Sequence, residues 1–239
     1  MKKIAVFAEG LGEQIFVRTL LQCLIPLDQL SFACYRLLGN SSQEVPYRYA
    51  AEQPQVYFEI YNVGNDEKVL TAILDRINWL LSRGFVKVIG LRDMYSDSYR
   101  KRASLIDNRT IQKYIDTTNS EIDKRHHSEY IHFHFSIMEL EAWWLAMYDL
   151  FPKIDERLTI EFIRSRLGYN LATINPETEF FHPAQDLKEI LALVGLDYDK
   201  HRGDVEGIVK WIDDADILHA TENNRCGCFE SFYNDLAAY

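Results

Sequence analysis

The chain has 239 residues, of which 47% are apolar, so it can form one large domain or a core domain with an extension. Its 26 basic against 36 acidic residues give a net charge of −10, which excludes a broad basic face for nucleic acid or for a membrane surface. We expect a reduced cytoplasmic protein without membrane spans, because its four cysteines lack a zinc-like spacing and no signal peptide or long apolar run is present.

The first predicted elements are a buried strand at residues 4–8 and a helix that follows it directly. Glu9 and Gly10 lie at the junction, and Glu13 falls in the first helical turn. Ligands of open α/β sheets bind at the carboxyl ends of strands, so both carboxylates are candidate ligands of a divalent cation. The alternative is a solvated strand end at Glu9, with Glu13 complementing the helix dipole.

The rest of the chain up to residue 151 alternates between strand and helix patterns. Further strands are predicted at 31–39, 56–63, 86–93 and 129–137, helices at 66–82, 108–124 and 138–151, and a loop at 40–54. This order predicts an α/β fold with a doubly wound, mostly parallel sheet. Strand patterns end near residue 152, so we predict a core domain at 1–151 and a helical C-terminal lobe at 152–239, with helical patterns at 159–168, 184–194, 204–218 and 228–237.

Acidic residues follow three of the predicted strands. The carboxyl ends of parallel strands share one edge of a sheet, and carboxylates that converge there repel one another unless a cation neutralises them. We therefore predict a site for Mg²⁺ or Mn²⁺. Its predicted ligands are Glu9, Glu13, Asp93, Asp97 and Glu139. On a helix Glu141 would point about 200° away from Glu139, so both reach one cleft only if the turn there is not yet helical.

Several other side chains have both a functional and a structural interpretation. The turn at Gly10 and Gly12 can cradle a phosphate at the helix N-terminus, and Arg92, Arg100 and Lys101 can form a local strip that contacts phosphates, or a solvated loop. His132 and His134 share one face of a strand, where hydrogen bonding is commoner than metal binding. Trp143 and Trp144 are predicted to be core or interface aromatics.

Three motifs, AEGLGEQIFV, IGLRDMYSD and MELEAWWLA, resemble a bacterial Toprim-like family of unknown function. The resemblance extends to Toprim domains of topoisomerases, primases and overcoming-lysogenization-defect nucleases. It implies that Glu9 acts as general acid or base, that Asp93 holds metal, and that an ABC/SMC-like ATPase is a partner. Toprim enzymes use Asp-x-Asp, whereas Tyr95 takes the second position here and Asp97 lies two residues beyond it.

Two functions are consistent with these residues. The first is a Mg²⁺- or Mn²⁺-dependent nuclease that hydrolyses phosphodiesters through a local nucleic-acid site, as the effector of an ATPase-linked bacterial defence system. The second is a non-catalytic Toprim-like partner module that binds a metal, a nucleotide or a protein. The acidic pairs favour the first function, and Tyr95 together with the net charge of −10 favours the second.

Overall fold

A computed structural model describes residues 1–65, 68–94, 96, 99, 103–222 and 225–239. The chain divides into two compact units. Unit 1 consists of residues 1–92, 112–135 and 233–239, and unit 2 consists of residues 93–111 and 136–232. None of the helices within the described ranges is long and apolar enough to cross a membrane. The domain boundary predicted near residue 151 stays a prediction.

Six strands form one mixed sheet in the order β3-β2-β4-β1-β5-β6. The strands are Lys2–Ala8 (β1), Leu30–Leu38 (β2), Ser41–Ala50 (β3), Val56–Asn62 (β4), Lys87–Asp93 (β5) and Ile131–Ser136 (β6). Strand β1 pairs in parallel with β4 and β5, and β2 pairs in parallel with β4. The predicted α/β class and mostly parallel sheet are therefore confirmed.

Residues 41–50 form an edge strand, so the loop predicted at 40–54 is wrong for this segment. Strand β3 runs antiparallel to β2, and its register shifts between Ala33, which faces Arg48, and Cys34, which faces Val45. Pro46 lies within that irregularity. A proline is tolerated on an edge strand or at a bulge, because no inner ladder hydrogen bond is lost there. The polar composition of 41–50 concealed the strand because most of its side chains are exposed.

Helices form the connection from β1 to β2 and the connection from β4 to β5. Helix α1, Leu11–Leu24, leads from β1 to β2, and helices α2, Val69–Leu74, and α3, Ile77–Ser82, lead from β4 to β5. The structure thus splits the helix predicted at 66–82 into two, and Asp66 lies outside the described residues. Helices α2 and α3 pack on the sheet face that carries Ala5, Phe7 and Tyr61.

Helix α4, Asn108–Asp123, lies between β5 and β6. The regular structure described after β6 is helical and consists of Glu141–Ala146 (α5), Leu150–Ile154 (α6), Ile160–Leu167 (α7), Pro176–Glu179 (α8), Pro183–Ala192 (α9), Arg202–Val209 (α10), Asp214–Thr221 (α11) and Gly227–Ala237 (α12). Met138 has φ 62°, in the left-handed region, so the helix predicted from residue 138 begins only at Glu141. Among the described residues beyond 152, none lies in a strand.

Candidate functional site

Glu9 directly follows β1, at the carboxyl edge of the parallel strands. Its backbone N–H donates to the carbonyl of Leu91, and its carbonyl accepts from the N–H of Gly64 at 2.7 Å. The peptide groups of Glu9 are therefore fixed between the segments that end β4 and β5. The Glu9 side chain is half-buried at this edge.

The topology makes this edge a switch point. The connection from β1 crosses towards β2 on one side of the sheet, whereas the connection from β4 crosses β1 towards β5 on the other side. Because parallel crossovers are right-handed, α1 and the α2–α3 pair lie on opposite faces. In open α/β sheets ligands bind at the carboxyl edge beside such a reversal, so the segments that follow β1 and β4 are a candidate site. We call this candidate site the switch-point crevice.

Glu13 performs a local structural task. Its carboxylate Oε2 accepts a hydrogen bond of 2.9 Å from the backbone N–H of Gly10, the residue that precedes helix α1. This bond satisfies one of the amides that a helix N-terminus leaves open, and the negative charge suits the helix dipole. The Gly10 amide proposed for a phosphate is thus already engaged. A Cβ at Gly10 would lie 2.9 Å from that carboxylate oxygen.

The sequence analysis missed a polar group at the end of β4. Asn62 is paired with Ala8 on β1 and with Arg36 on β2, so it stands beside the residue that precedes Glu9. Its Oδ1 atom is buried and has no hydrogen-bond partner among the described residues. Buried acceptors are nearly always satisfied, so this atom requires an explanation. The available signal was a polar residue near the end of the strand predicted at 56–63.

In unit 2, Asp93 is integrated into the turn that precedes helix α5. Its Oδ1 atom accepts hydrogen bonds from the hydroxyl of Ser136 and, at 3.0 Å, from the backbone N–H of Leu140. The Met94 N–H donates to the Ser136 carbonyl, which fixes the same turn. The Asp93 side chain is buried. Its carboxylate therefore organises the backbone on which Glu139 lies.

Glu139 and Glu141 bind one ammonium group. Lys200 Nζ lies 2.7 Å from Glu139 Oε1 and 3.1 Å from Glu141 Oε2. The Tyr198 hydroxyl donates to Glu141 Oε1 at 2.6 Å, and the Ala184 N–H donates to Glu139 Oε2 at 3.1 Å. Both glutamates reach the same cation because Glu139 precedes the helix, which meets the condition set by helical geometry.

Charge and burial explain the protonation of this cluster. Burial raises the pKa of the Glu141 carboxyl, whereas Lys200 lowers it. Burial alone would lower the pKa of Lys200, but the charges of Glu141, Asp93 and Glu139 raise it above its ordinary value. Burial raises the pKa of Asp186 to about 6, and Glu189 and Glu139 add to this effect. Lys200 therefore keeps its ammonium charge at neutral pH. Asp186 is, besides Glu141, a carboxyl whose pKa is raised.

Two backbone outliers in unit 2 belong to this cluster. Met138, with φ 62°, precedes Glu139, and Lys200 has φ 58°. Left-handed conformations cost energy for residues other than glycine and persist where the surroundings enforce them, often at functional sites. No sequence pattern pointed to Lys200, because it lies in a charged loop about sixty positions from Glu139.

The other predicted site residues are less informative. Asp97, Arg100 and Lys101, together with Tyr95, lie outside the described residues. The Arg92 guanidinium lies 5.7 Å from the centre of the Phe135 ring. Gly12 is the second residue of helix α1. The roles predicted for Glu9, Glu13, Asp93, Asp97 and Glu139 as metal ligands stay predictions.

The two histidines on β6 bind a carboxylate in unit 1. His132 Nδ1 and His134 Nε2 lie 3.0 Å and 2.7 Å from the Asp235 carboxylate. Lys87 Nζ donates to the carbonyls of Asp235 and Ala238, at 2.9 Å each. Burial opposes the charge of Asp235, but its hydrogen bonds to both histidines lower its pKa. This cluster ties the C-terminal residues to the edge of the sheet.

The tryptophans are structural, as predicted. Trp143 and Trp144 are both fully buried. The Trp143 Nε1–H donates to Glu177 Oε1 at 3.0 Å, and the same carboxylate accepts from the N–H groups of Cys228 and Phe229. The indole is therefore part of the packing around the start of helix α12, not a surface for bases.

Within the described residues, no group of three or more His, Cys, Asp or Glu side chains is arranged to hold a metal ion. The cation that Glu139 and Glu141 bind is the Lys200 ammonium. No protein-family model matches the chain, and no curated protein matches it either. The interpretation of the site therefore depends on its own geometry and chemistry.

Proposed function

We propose that this chain is a Mg²⁺- or Mn²⁺-dependent nuclease of the Toprim type, which hydrolyses phosphodiester bonds. The observation that carries the proposal is the position of Glu9 at the switch-point crevice, with its backbone bonded to Leu91 and Gly64. This is where an open α/β sheet binds its ligand. An acidic protein needs a bound cation to approach a polyanion, and a carboxylate at this edge is a ligand of the right kind.

The side chains proposed for the site are oxygen ligands, the kind that a hard divalent cation prefers. Glu9 supplies a carboxylate at the carboxyl edge of the sheet. Glu13 is the second carboxylate of the proposed set, and the sequence adds Asp93, Asp97 and Glu139. When bound, such an ion neutralises phosphate charge and lowers the pKa of a coordinated water.

The side chains have distinct proposed tasks. Glu9 takes the proton of the attacking water, the role that the resemblance implies. Arg92, Arg100 and Lys101 contact phosphates and position the strand without reading sequence. Lys200 holds Glu139 and Glu141 in place. An ABC/SMC-like ATPase is proposed as the partner that controls the activity in a defence system.

The metal proposal is tested by thermal unfolding with and without Mn²⁺. The wild type should gain melting temperature with Mn²⁺ by mass action, and Glu9→Gln and Asp93→Asn should remove that gain. Glu52→Gln is the matched control, because Glu52 is exposed in a loop of unit 1. Melting of each variant in chelator shows whether its fold is intact. If Glu9→Gln responds to Mn²⁺ as the wild type does, the metal is not at Glu9.

The second candidate is the non-catalytic partner module. The observation that favours it is the internal neutralisation of Glu139 and Glu141 by Lys200, which leaves these acids less need of an external cation. Labelled DNA and RNA, incubated with Mn²⁺ with and without the cognate ATPase, separate the two functions. If the wild type cleaves the substrates and Glu9→Gln does not, the result supports the nuclease. Intact substrates under all conditions support the partner module.

A further inference from the structure

We infer that unit 1 binds a nucleoside monophosphate in a cavity beside the carboxyl ends of β2 and β4. The cavity has a volume of about 510 Å³, and its described lining residues all belong to unit 1. The turn after β2, the turn after β4 and helix α2 form its walls, so we call it the β2–β4 cavity. The inference goes beyond the proposed function, because it requires neither a metal ion nor Glu9.

The first step is the position of the β2–β4 cavity. Gly39 and Asn40 line it from the turn after β2, and Gly64 and Asn65 line it from the turn after β4. Both glycines adopt the left-handed conformation that favours glycine, with φ +60° at Gly39 and +75° at Gly64. The cavity therefore lies at the carboxyl edge of two parallel strands, where open α/β sheets bind their ligands.

The second step is the charge of the cavity wall. Lys68 and Arg76 line the cavity together with Asp75, so the described part of the wall carries one net positive charge. No carboxylate of the residues that the structure describes forms an ion pair with Lys68 or Arg76. Two uncompensated cations in one cavity of a chain with net charge −10 indicate an anionic ligand.

The third step is the orientation of the Arg76 guanidinium. Its Nη2–H donates to the carbonyl of Gly39 at 2.6 Å, and its Nη1–H donates to the carbonyl of Ala72 at 3.3 Å. Both acceptors are neutral, so these bonds fix the guanidinium between the turn after β2 and helix α2 without cancelling its charge. Its remaining N–H groups can bind phosphate oxygens, for which the planar guanidinium is well suited, and Lys68 adds a second cation.

The fourth step is the size and the composition of the cavity. Its volume falls within the range of pockets that bind whole small molecules and exceeds what a lone phosphate ion would fill. Asn40, Asn65 and Thr71 add carboxamide and hydroxyl groups, which can donate to and accept from a base or a ribose. Leu37 and Ala72 add apolar surface. A nucleoside monophosphate combines the anionic group and the polar body that such a wall can bind.

The test is isothermal titration calorimetry of the full-length chain with AMP, GMP, CMP and UMP, in chelator so that no metal contributes. At least one nucleotide should bind, and Lys68→Met should weaken its binding by about tenfold or more, because a charged contact is lost. Asp75→Asn should tighten the binding, because the acid in the wall is neutralised. Lys113→Met removes an exposed cation from helix α4 of unit 1 and is the matched control, which should bind as the wild type does.

The outcomes separate this inference from the proposed function. Glu9→Gln should bind the nucleotide as the wild type does, even where it no longer responds to Mn²⁺. If none of the four nucleotides binds the wild type, the inference is overturned whether or not Mn²⁺ binds. It is also overturned if Lys68→Met and Asp75→Asn both bind the nucleotide with wild-type affinity, because the ligand then occupies another site.

Two further titrations test the class of ligand. The nucleoside without its phosphate should bind more weakly than the nucleotide, and equal affinity would overturn the role of the two cations. Inorganic phosphate should also bind more weakly, and equal affinity would show that the cavity recognises a phosphate group alone. Lys68 is exposed, so ligand-free Lys68→Met should melt at the wild-type temperature, which shows that its loss of binding is not a loss of fold.

Discussion

The two acidic regions of this protein, the switch-point crevice of unit 1 and the Lys200 cluster of unit 2, satisfy their oxygens in opposite ways. In unit 2, Glu139 and Glu141 share the Lys200 ammonium, and Tyr198 and a backbone amide supply further donors. In unit 1, the carboxylate of Glu13 accepts a hydrogen bond from the backbone amide of Gly10 and so caps its own helix. The oxygen of Asn62 has no donor among the described residues.

This contrast teaches that a count of acids is a poor guide to a cation site. Carboxylates that hold an internal ammonium are already compensated, and an added cation must compete with that ammonium. An oxygen left without a donor carries a penalty that a ligand removes on binding. Acids that are already paired with an ammonium are the poorer candidates for an external cation, so variants in the two regions should respond differently.

The largest expected effect is that of Lys200→Met. Removal of the ammonium leaves Glu139 and the buried Glu141 without their cation, and broken buried pairs lose several kcal/mol. The Lys200 side chain is 43% exposed, so solvent screening reduces the expected loss of unfolding free energy to about 2 kcal/mol at pH 8. Urea unfolding in the presence of chelator measures it.

The pH dependence and a control sharpen this test. Burial raises the pKa of Glu141, and a raised carboxyl pKa destabilises the fold as the pH rises through it. The loss in Lys200→Met should therefore shrink as the pH falls and Glu141 takes up a proton. Lys188→Met removes an exposed pairing with Asp197 and Asp199, which solvent screens, and should lose less unfolding free energy than Lys200→Met. Equal losses in the two variants would contradict internal compensation by Lys200.

The next effect in size is that of Tyr198→Phe. The hydroxyl of this buried tyrosine donates to Glu141 at 2.6 Å, and its ring packs edge-on against Trp144, a contact that phenylalanine retains. Loss of a hydrogen bond to a buried charged acceptor should lower the unfolding free energy by about 1.5 kcal/mol. Tyr148→Phe, which loses a partly buried bond to His219, is the control and should lose less. A wild-type value for Tyr198→Phe would mean that Lys200 alone satisfies Glu141.

The sequence predicted the sheet because its strands are apolar, short and separated by helical periods. Ile4 to Ala8 could be read as a buried strand, and the position of Glu9 at its end followed from that pattern. The crevice also required the strand order, which no local pattern contains. Glu139 and Glu141 contact the same ammonium because the turn at Glu139 is not yet helical, which is the condition stated for them. The left-handed Met138 delays the start of the helix until Glu141.

The features that were missed depend on tertiary contacts. Strand β3 is polar because it lies at an edge, so the alternation of its half-buried Val45, Tyr47 and Tyr49 with exposed residues is short and contains Pro46. Lys200 acquires its role only when its loop meets Glu139, at long separation in sequence. The unsatisfied oxygen of Asn62 is visible only once every neighbouring donor has a position. Patterns detect periodicity, whereas these features depend on which polar groups remain unpaired after folding.

A smaller effect, and one of opposite sign, is expected for Asp186→Asn. Burial, with the charges of Glu189 and Glu139, raises the folded-state pKa of Asp186 to about 6, above its ordinary 3.8. The folded state therefore binds the proton more tightly, so the charged carboxylate destabilises the fold above that pH. Asp186→Asn should raise the unfolding free energy by about 1 kcal/mol at pH 8 and by little at pH 5. Unfolding at both pH values tests this, and a loss at pH 8 would show a stabilising role.

The smallest effect is that of Glu13→Gln. The sign of its change in unfolding free energy shows whether the negative charge of Glu13 stabilises or destabilises the metal-free protein. If the carboxylate serves mainly as the cap of helix α1, the neutral variant should lose about 0.5 kcal/mol of unfolding free energy in chelator, because the amide of Gly10 and the helix dipole favour a charged acceptor. If Glu13 is instead repelled by other carboxylates of a metal site, neutralisation should stabilise the metal-free protein. We expect the loss. A gain that Mn²⁺ abolishes would assign Glu13 to the cation, and Glu161→Gln, in the first turn of helix α7, provides the control for a simple dipole effect.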